Sequence, residues 1–137
     1  MAEQTAEMVN RLVNATNAHD LEALVSCFTE DYLNETPLHP ARSFRGRAQV
    51  RRNWEQIFGF VADLRAEVTR RAVEGNTAWT EWEMQGTRHD GTAHHMRGVV
   101  VFGVRDGMAE WARFYLEPVD EADGTVDEAV RAQVVPA

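Results

Sequence analysis

Two Asp-Gly dipeptides, Asp90-Gly91 and Asp106-Gly107, each stand between runs of β-forming residues, and nothing else in the 137-residue chain restricts its fold so much. Asp-Gly accepts the positive φ angles of a type I′ turn, whose twist matches a two-residue β-hairpin. Strands are expected over 77–88, 94–104 and 108–118, and one over 64–74 that ends in the turn Gly75-Asn76. The first half is helical in pattern. Met8, Val9, Leu12, Val13 and Ala15 recur at helical spacing within 3–18, and Asp20 caps a short second helix, LEALVSCF, ending near Thr29. After Gly46, RAQVRRNWEQIFGF aligns Val50, Trp54, Ile57 and Phe58 on one face of a third helix. The stretch 31–45, rich in Pro, Asn, Thr and Ser, reads as irregular chain crossing the molecule. The expectation is one α+β domain over 1–137, with three helices against one face of a curved antiparallel sheet and an acidic tail, 119–137, holding a helical turn or two near 125–133.

Composition narrows the function classes. With 22 acidic against 14 basic residues the net charge is −8, which argues against nucleic-acid binding. The longest apolar run, GVVVFGV at 98–104, is too short to span a bilayer, and MAEQTAEMVN lacks the regions of a signal peptide, so no membrane partner and a cytoplasmic location are expected. The single Cys27 allows no internal disulfide, and its apolar neighbours make it a small core residue.

The last strand contains EWARFYLEP, which sends Trp111, Arg113, Tyr115 and Glu117 to one face and Ala112, Phe114 and Leu116 to the other. With a two-residue turn at each Asp-Gly, directly opposed residues build rows across the sheet: Trp79–Phe102–Trp111, Glu81–Val100–Arg113, Glu83–Gly98–Tyr115 and Gln85–Met96–Glu117. This mixed face is read as a pocket wall roofed by Trp79, Phe102 and Trp111. Gly98 leaves room for a small ligand, or else marks a bend in the sheet. Glu81 and Arg113 form either a structural ion pair or part of the site. Like charges and desolvation raise carboxylate pKa values, so Glu81, Glu83 and Glu117 on one partly enclosed face point to proton transfer. The reverse face is almost wholly apolar, and a second copy of the chain is expected to cover it, giving a homodimer.

The order of elements, the helix GRAQVRRNWEQIF and the final strand resemble the nuclear transport factor 2-like superfamily, over roughly residues 5 to 120. That superfamily includes SnoaL-like polyketide cyclases, ketosteroid isomerases and limonene epoxide hydrolases. The resemblance implies a conical α+β barrel with an apolar pocket between helices and concave sheet, commonly dimeric through the convex sheet. Against the epoxide hydrolase motif R-D-Y-F-D the last strand reads Arg113-Phe-Tyr-Leu-Glu117, which puts the family's water-activating carboxylate on Glu117. The family's R-x-D pair falls on Glu81-Trp82-Glu83, so the arginine that would assist epoxide opening is replaced by a glutamate. The polar loop before the third helix is matched by Asn34-Glu-Thr-Pro-Leu-His39, where Asn34, Glu35 or Thr36 would position a water or substrate oxygen. Against the ketosteroid isomerases, the acidic donor falls near Gly98 and the base near Thr36, with Glu35 adjacent.

Other clusters carry less. His89, Asp90, His94 and His95 surround a hairpin, but His94 and His95 point to opposite faces, and no metal is expected. No Gly-rich phosphate loop or nucleophilic triad stands out, and no cofactor is expected. Arg42, Arg45, Arg47, Arg51 and Arg52 form the one basic concentration, which either steers an anionic ligand to the mouth or balances the acidic sheet. The chain therefore reads as a small-molecule-pocket protein for an apolar ligand. As an enzyme it would use acid/base chemistry of cyclase, isomerase or hydrolase type, with Glu117 as base, Glu83 as partner acid, and Tyr115 and Arg113 stabilising negative charge. Asn34, Glu35, Trp54, Trp79, Glu81, Gly98, Phe102 and Trp111 would line the site. The alternative is a non-catalytic binding or dimerisation module of the same fold.

Overall fold

A computed structural model describes residues 2–136 and gives helices α1 (Ala2–Ala18), α2 (Leu21–Val25), α3 (Arg47–Phe60) and α4 (Val126–Val134). The strands are β1 (Phe28–Glu35), β2 (Phe44–Arg45), β3 (Arg65–Glu74), β4 (Thr77–Thr87), β5 (Ala93–Arg105) and β6 (Met108–Pro118). They form one curved, unclosed sheet in the order β2-β1-β6-β5-β4-β3, antiparallel except where β1 runs parallel to β6. The α+β cone expected from the sequence is the fold found. Among the described residues no helix is long and apolar enough to cross a membrane.

Helices α1 and α3 lie on the concave face for the reason their spacing gave. Met8, Val9, Leu12 and Ala15 of α1 are buried, as is Val50 of α3, against Ala66, Trp82, Met84, Val100, Phe102 and Ala112 of the sheet. Asp20 caps α2 by accepting from Ala23 N at 3.0 Å. Asn17 clamps the end of α1 to β3, accepting from Ala66 N at 2.7 Å and donating to Ala66 O at 2.9 Å. Cys27 is buried, and burial pushes its thiol up in pKa. Thr125 caps α4, whose Val126, Val130 and Val134 remain exposed.

Three expectations are corrected. Residues 31–45 are not irregular throughout: Phe28, Tyr32 and Asn34 are buried along β1, which pairs with β2 on one side and β6 on the other. At the first Asp-Gly the loop has three residues, not two. Arg88 N donates to Thr92 O at 2.8 Å, and Gly91, at φ 87°, takes the left-handed position that such a loop requires. At the second, Asp106 and Gly107 form the expected two-residue turn, with Arg105 opposite Met108. The register then shifts between Val104, opposite Ala109, and Gly103, opposite Trp111. Glu110 is the extra residue of a β-bulge, and the Trp111 indole lies directly over Gly103.

Each slip is one residue, and a slip of one moves a strand's side chains to the other face. Only β5, which lies between the two slips, changes sides. Gly98, Val100 and Phe102 join Trp82, Phe114 and Leu116 on the concave face. The outer rows are Trp79–Val101–Arg113, Glu81–Val99–Tyr115 and Glu83–Arg97–Glu117. The helices thus cover the apolar face, and the mixed face is the outer one.

Candidate functional site

Most of the residues expected to line a pocket lie elsewhere. Trp79 is 55% exposed and Tyr115 36% exposed on the outer face. Glu81 is exposed there too, opposite Arg70 and Val99. Arg113 pairs not with Glu81 but with Glu35 of neighbouring β1, at 3.9 Å, so both leave the concave side. Glu83 accepts from Arg97 Nε at 2.7 Å and Gln85 Nε2 at 2.6 Å. The Arg97 hydrogen bond, helped by Gln85, holds the Glu83 carboxyl below its usual range, so it is an ionised acceptor rather than the proton-sharing acid expected. Trp111 is taken up by Gly103, and Phe102 is buried in the core. Gly98 offers no gap. At φ 152°, a Cβ there would lie 2.0 Å from the Tyr115 carbonyl oxygen, so the glycine allows a close approach of two backbones.

What the fold does build is a cavity of about 410 Å³ between α3, β1 and the concave ends of β4 to β6. Its apolar wall includes Phe28, Phe44, Trp54, Ile57, Met84, Met96, Phe114 and Leu116. Trp54, expected on one face of the third helix, lies in this wall, tilted against Phe58 at 5.5 Å. The polar wall is Asn34, Thr36, Arg42, Asn53, His94 and Glu117, with Tyr32 behind Asn34.

β1 supplies the first of these groups. Alternation turns Tyr32 and Asn34 inward together, and the buried Tyr32 hydroxyl donates to Asn34 Oδ1 at 2.7 Å. Burial pushes the Tyr32 phenol well above its usual pKa, so it remains a donor. The bond orients the Asn34 amide, whose Nδ2 donates to Thr36 Oγ1 at 3.4 Å. On α3, Gln49 Nε2 donates to Asn53 Oδ1 at 2.7 Å.

Glu117 reaches the cavity from the end of β6. β1 last pairs with β6 at Glu35–Arg113, and the loop that follows crosses the remaining edge. There His39 Nε2 and Glu117 Oε1 are 2.5 Å apart. The loop is clasped by Thr36 N donating to Ser43 Oγ at 3.0 Å, and by His39 N donating to Thr36 O at 2.9 Å. At the opposite rim, desolvation and then Arg88 hold His94 below its usual pKa. A carboxylate backed by an imidazole, an oriented amide and a hydroxyl around an apolar space can accept a proton and stabilise charge on a substrate oxygen.

Tyr32, Asn53 and His94 were not picked out as parts of this constellation from the sequence. For Tyr32 the signal was present, since Tyr32 and Asn34 fall four and six residues after Phe28, but acidic neighbours and the following prolines masked the strand.

Residues 9–113 match the SnoaL-like domain. No curated protein matches the sequence significantly. Among solved structures, the fold is similar to a protein of Kribbella flavida provisionally assigned as a ketosteroid isomerase, with 22% identity and a TM-score of 0.71 over 99% of this chain and 90% of that one. It is also similar to an LEH-like epoxide hydrolase of M. tuberculosis, at 18% identity and a TM-score of 0.72 over 85% of this chain and 84% of that one. A third is IdmH of Streptomyces antibioticus, provisionally a polyketide cyclase, at 22% identity and a TM-score of 0.71 over 82% and 91%. At these identities the likeness is one of fold.

Proposed function

The chain belongs to the SnoaL-like domain family, and from that premise we propose that it is an enzyme performing acid/base chemistry on an apolar small molecule. The reaction is of cyclase, isomerase or hydrolase type. One observation carries the reading: Glu117, backed by His39 at 2.5 Å, shares the wall of an apolar cavity with the oriented amide of Asn34. In this reading Glu117 is the general base, taking a proton from a carbon acid or from a water. His39 holds the carboxylate in place and shares its charge. Asn34, fixed by Tyr32, donates to the substrate oxygen on which negative charge develops, the part first given to Tyr115 and Arg113. Two copies joined through the outer sheet face, where Trp79 and Tyr115 stand exposed, complete the assembly.

The test is a panel of cyclic ketones, aromatic polyketide-like ketones and terpene epoxides incubated with the protein in D2O. NMR would follow loss of the α-proton, and mass spectrometry addition of water. Turnover by the wild type that drops about 100-fold or more in Glu117→Gln, with ligand binding retained, is expected. Turnover unchanged by Glu117→Gln would remove the base assignment. One feature favours a second reading, a binding protein without catalysis: the Glu117 carboxylate is already bonded to His39, as in a wall whose charge is settled. That reading predicts binding of the same panel with no proton exchange.

A further inference from the structure

The polar groups around the cavity share a chemical bias toward donating hydrogen bonds. Asn34 Oδ1 is taken by the Tyr32 hydroxyl, and Asn53 Oδ1 by Gln49 Nε2, each at 2.7 Å. Asn53 therefore has both its amide N–H groups left to offer, and Asn34 has one, the other going to Thr36. Thr36 Oγ1 accepts from Asn34, which leaves the hydroxyl proton. The carboxylate in the wall, Glu117, is met by His39.

Arg42 completes the set. It lies in the same wall, and among the described residues its guanidinium has neither a hydrogen-bond nor an ion-pair partner. The neighbouring arginines differ. Arg51 is paired with Glu22, while Arg45 and Arg47 donate to the backbone carbonyls of Asp31 and Phe28. Nor is Arg42 on a loose loop. Arg42 N donates to His39 O at 2.9 Å, Ser43 N donates to Pro40 O at 3.1 Å, and His39 ties the turn to β6. The Arg42 backbone is fixed at the mouth of an apolar chamber with donors in its wall, and the carboxylate of that wall, Glu117, is met by His39.

We infer that the cavity takes an amphiphilic acid: a small molecule with an aromatic or alicyclic body among Trp54, Phe44, Phe114 and Leu116, and one carboxylate on Arg42. The inference rests on the reading of this cavity as the substrate site and names the class of substrate. Arg42 is exposed at the mouth of the cavity, and its planar guanidinium matches a carboxylate in two-point geometry while the apolar body of the ligand enters the chamber. The chain's net charge of −8 opposes an acid at long range, so the selectivity comes from local contact and not from steering.

The experiment is calorimetric titration of the protein at pH 7 with 2-naphthoate and with its neutral isostere, 2-naphthamide. The wild type is expected to bind the acid at least about tenfold more tightly. Arg42→Gln should bring the acid to the amide's affinity without changing the amide's, and Arg42→Lys should keep part of the preference. Trp54→Ala should weaken both probes, placing them in this cavity. Equal affinity of the wild type for the two probes would overturn the inference. So would a preference that survives Arg42→Gln, a loss of both probes in that variant, or no binding of the acid at low millimolar concentration. Failure here is separable from failure of the base assignment. Turnover of neutral ketones that depends on Glu117, without acid preference, would sink this inference alone. Arg42-dependent acid binding without any Glu117-dependent turnover would sink the enzyme reading alone.

Discussion

Gly98→Ala tests whether this glycine is a gap for a ligand or a place where two backbones touch. In the structure a Cβ at residue 98 meets the Tyr115 carbonyl oxygen at 2.0 Å, Leu116 Cα at 2.7 Å and Tyr115 C at 2.8 Å. All three are backbone atoms of the neighbouring strand, so relief needs a shift of β6 and not a side-chain swing. The overlap costs about 1–3 kcal/mol by the measure of overpacked cores. At φ 152° alanine adds backbone strain of about 1–3 kcal/mol. The expected loss is therefore about 4 kcal/mol, which for a domain of this length lowers Tm by roughly 12 °C. Urea denaturation should show a lower midpoint with the slope unchanged, since the same surface is exposed on unfolding. Gly103→Ala meets the Trp111 side chain at 2.0 Å, and a half-buried indole can move, so it should cost less. Gly59→Ala, in α3 with nothing within 4 Å, should raise stability by about 0.5–1 kcal/mol. A fall in Tm below about 3 °C for Gly98→Ala would refute the register of β5 on β6, because in the alternative pairing that position faces open space.

The remaining predictions concern the cavity wall. Tyr32→Phe strips the donor from the buried Asn34 Oδ1 and should cost about 1–3 kcal/mol in denaturant unfolding; an unchanged midpoint would mean the amide finds another partner. His94 has a folded-state pKa below its unfolded value near 6.5, so between the two the unfolded chain binds more protons. Its contribution to stability is complete above about pH 6.5 and is lost as pH falls through the folded value. His94→Gln should therefore lose less Tm than the wild type between pH 7.5 and 5.5, and an identical loss in both proteins would rule out His94 as the titrating group.

The architecture was legible in the sequence because it rests on repetition. Several apolar residues at helical spacing in α1, or seven alternating positions in β6, outvote any single ambiguous neighbour. The site was not legible to the same degree, because it depends on single residues whose effect is geometric. At the first turn Gly91 takes a positive φ and Asp90 does not, whereas Asp106 and Gly107 both do, so the first loop has three residues, and one extra residue, Glu110, made a bulge. Each error was a slip of one, yet together they exchanged Gly98 and Phe102 for Val99 and Val101 on the mixed face and made a pocket wall of what is the outer surface. The same slips add to a shift of two residues between β4 and β6, which changes their rows but keeps their faces together, and for that reason the grouping of Glu81, Glu83, Arg113 and Tyr115 on one face held while its meaning reversed. The face buried against the helices is set by area: Trp82, Met84, Phe114 and Leu116 offer more apolar surface to cover than a row of glutamates can. Weighed by apolar area, the two faces of the sheet point inward to Asn34 and Trp54 and away from Glu83 and Tyr115, while Glu117 reaches the cavity only because it ends the strand beside the His39 loop.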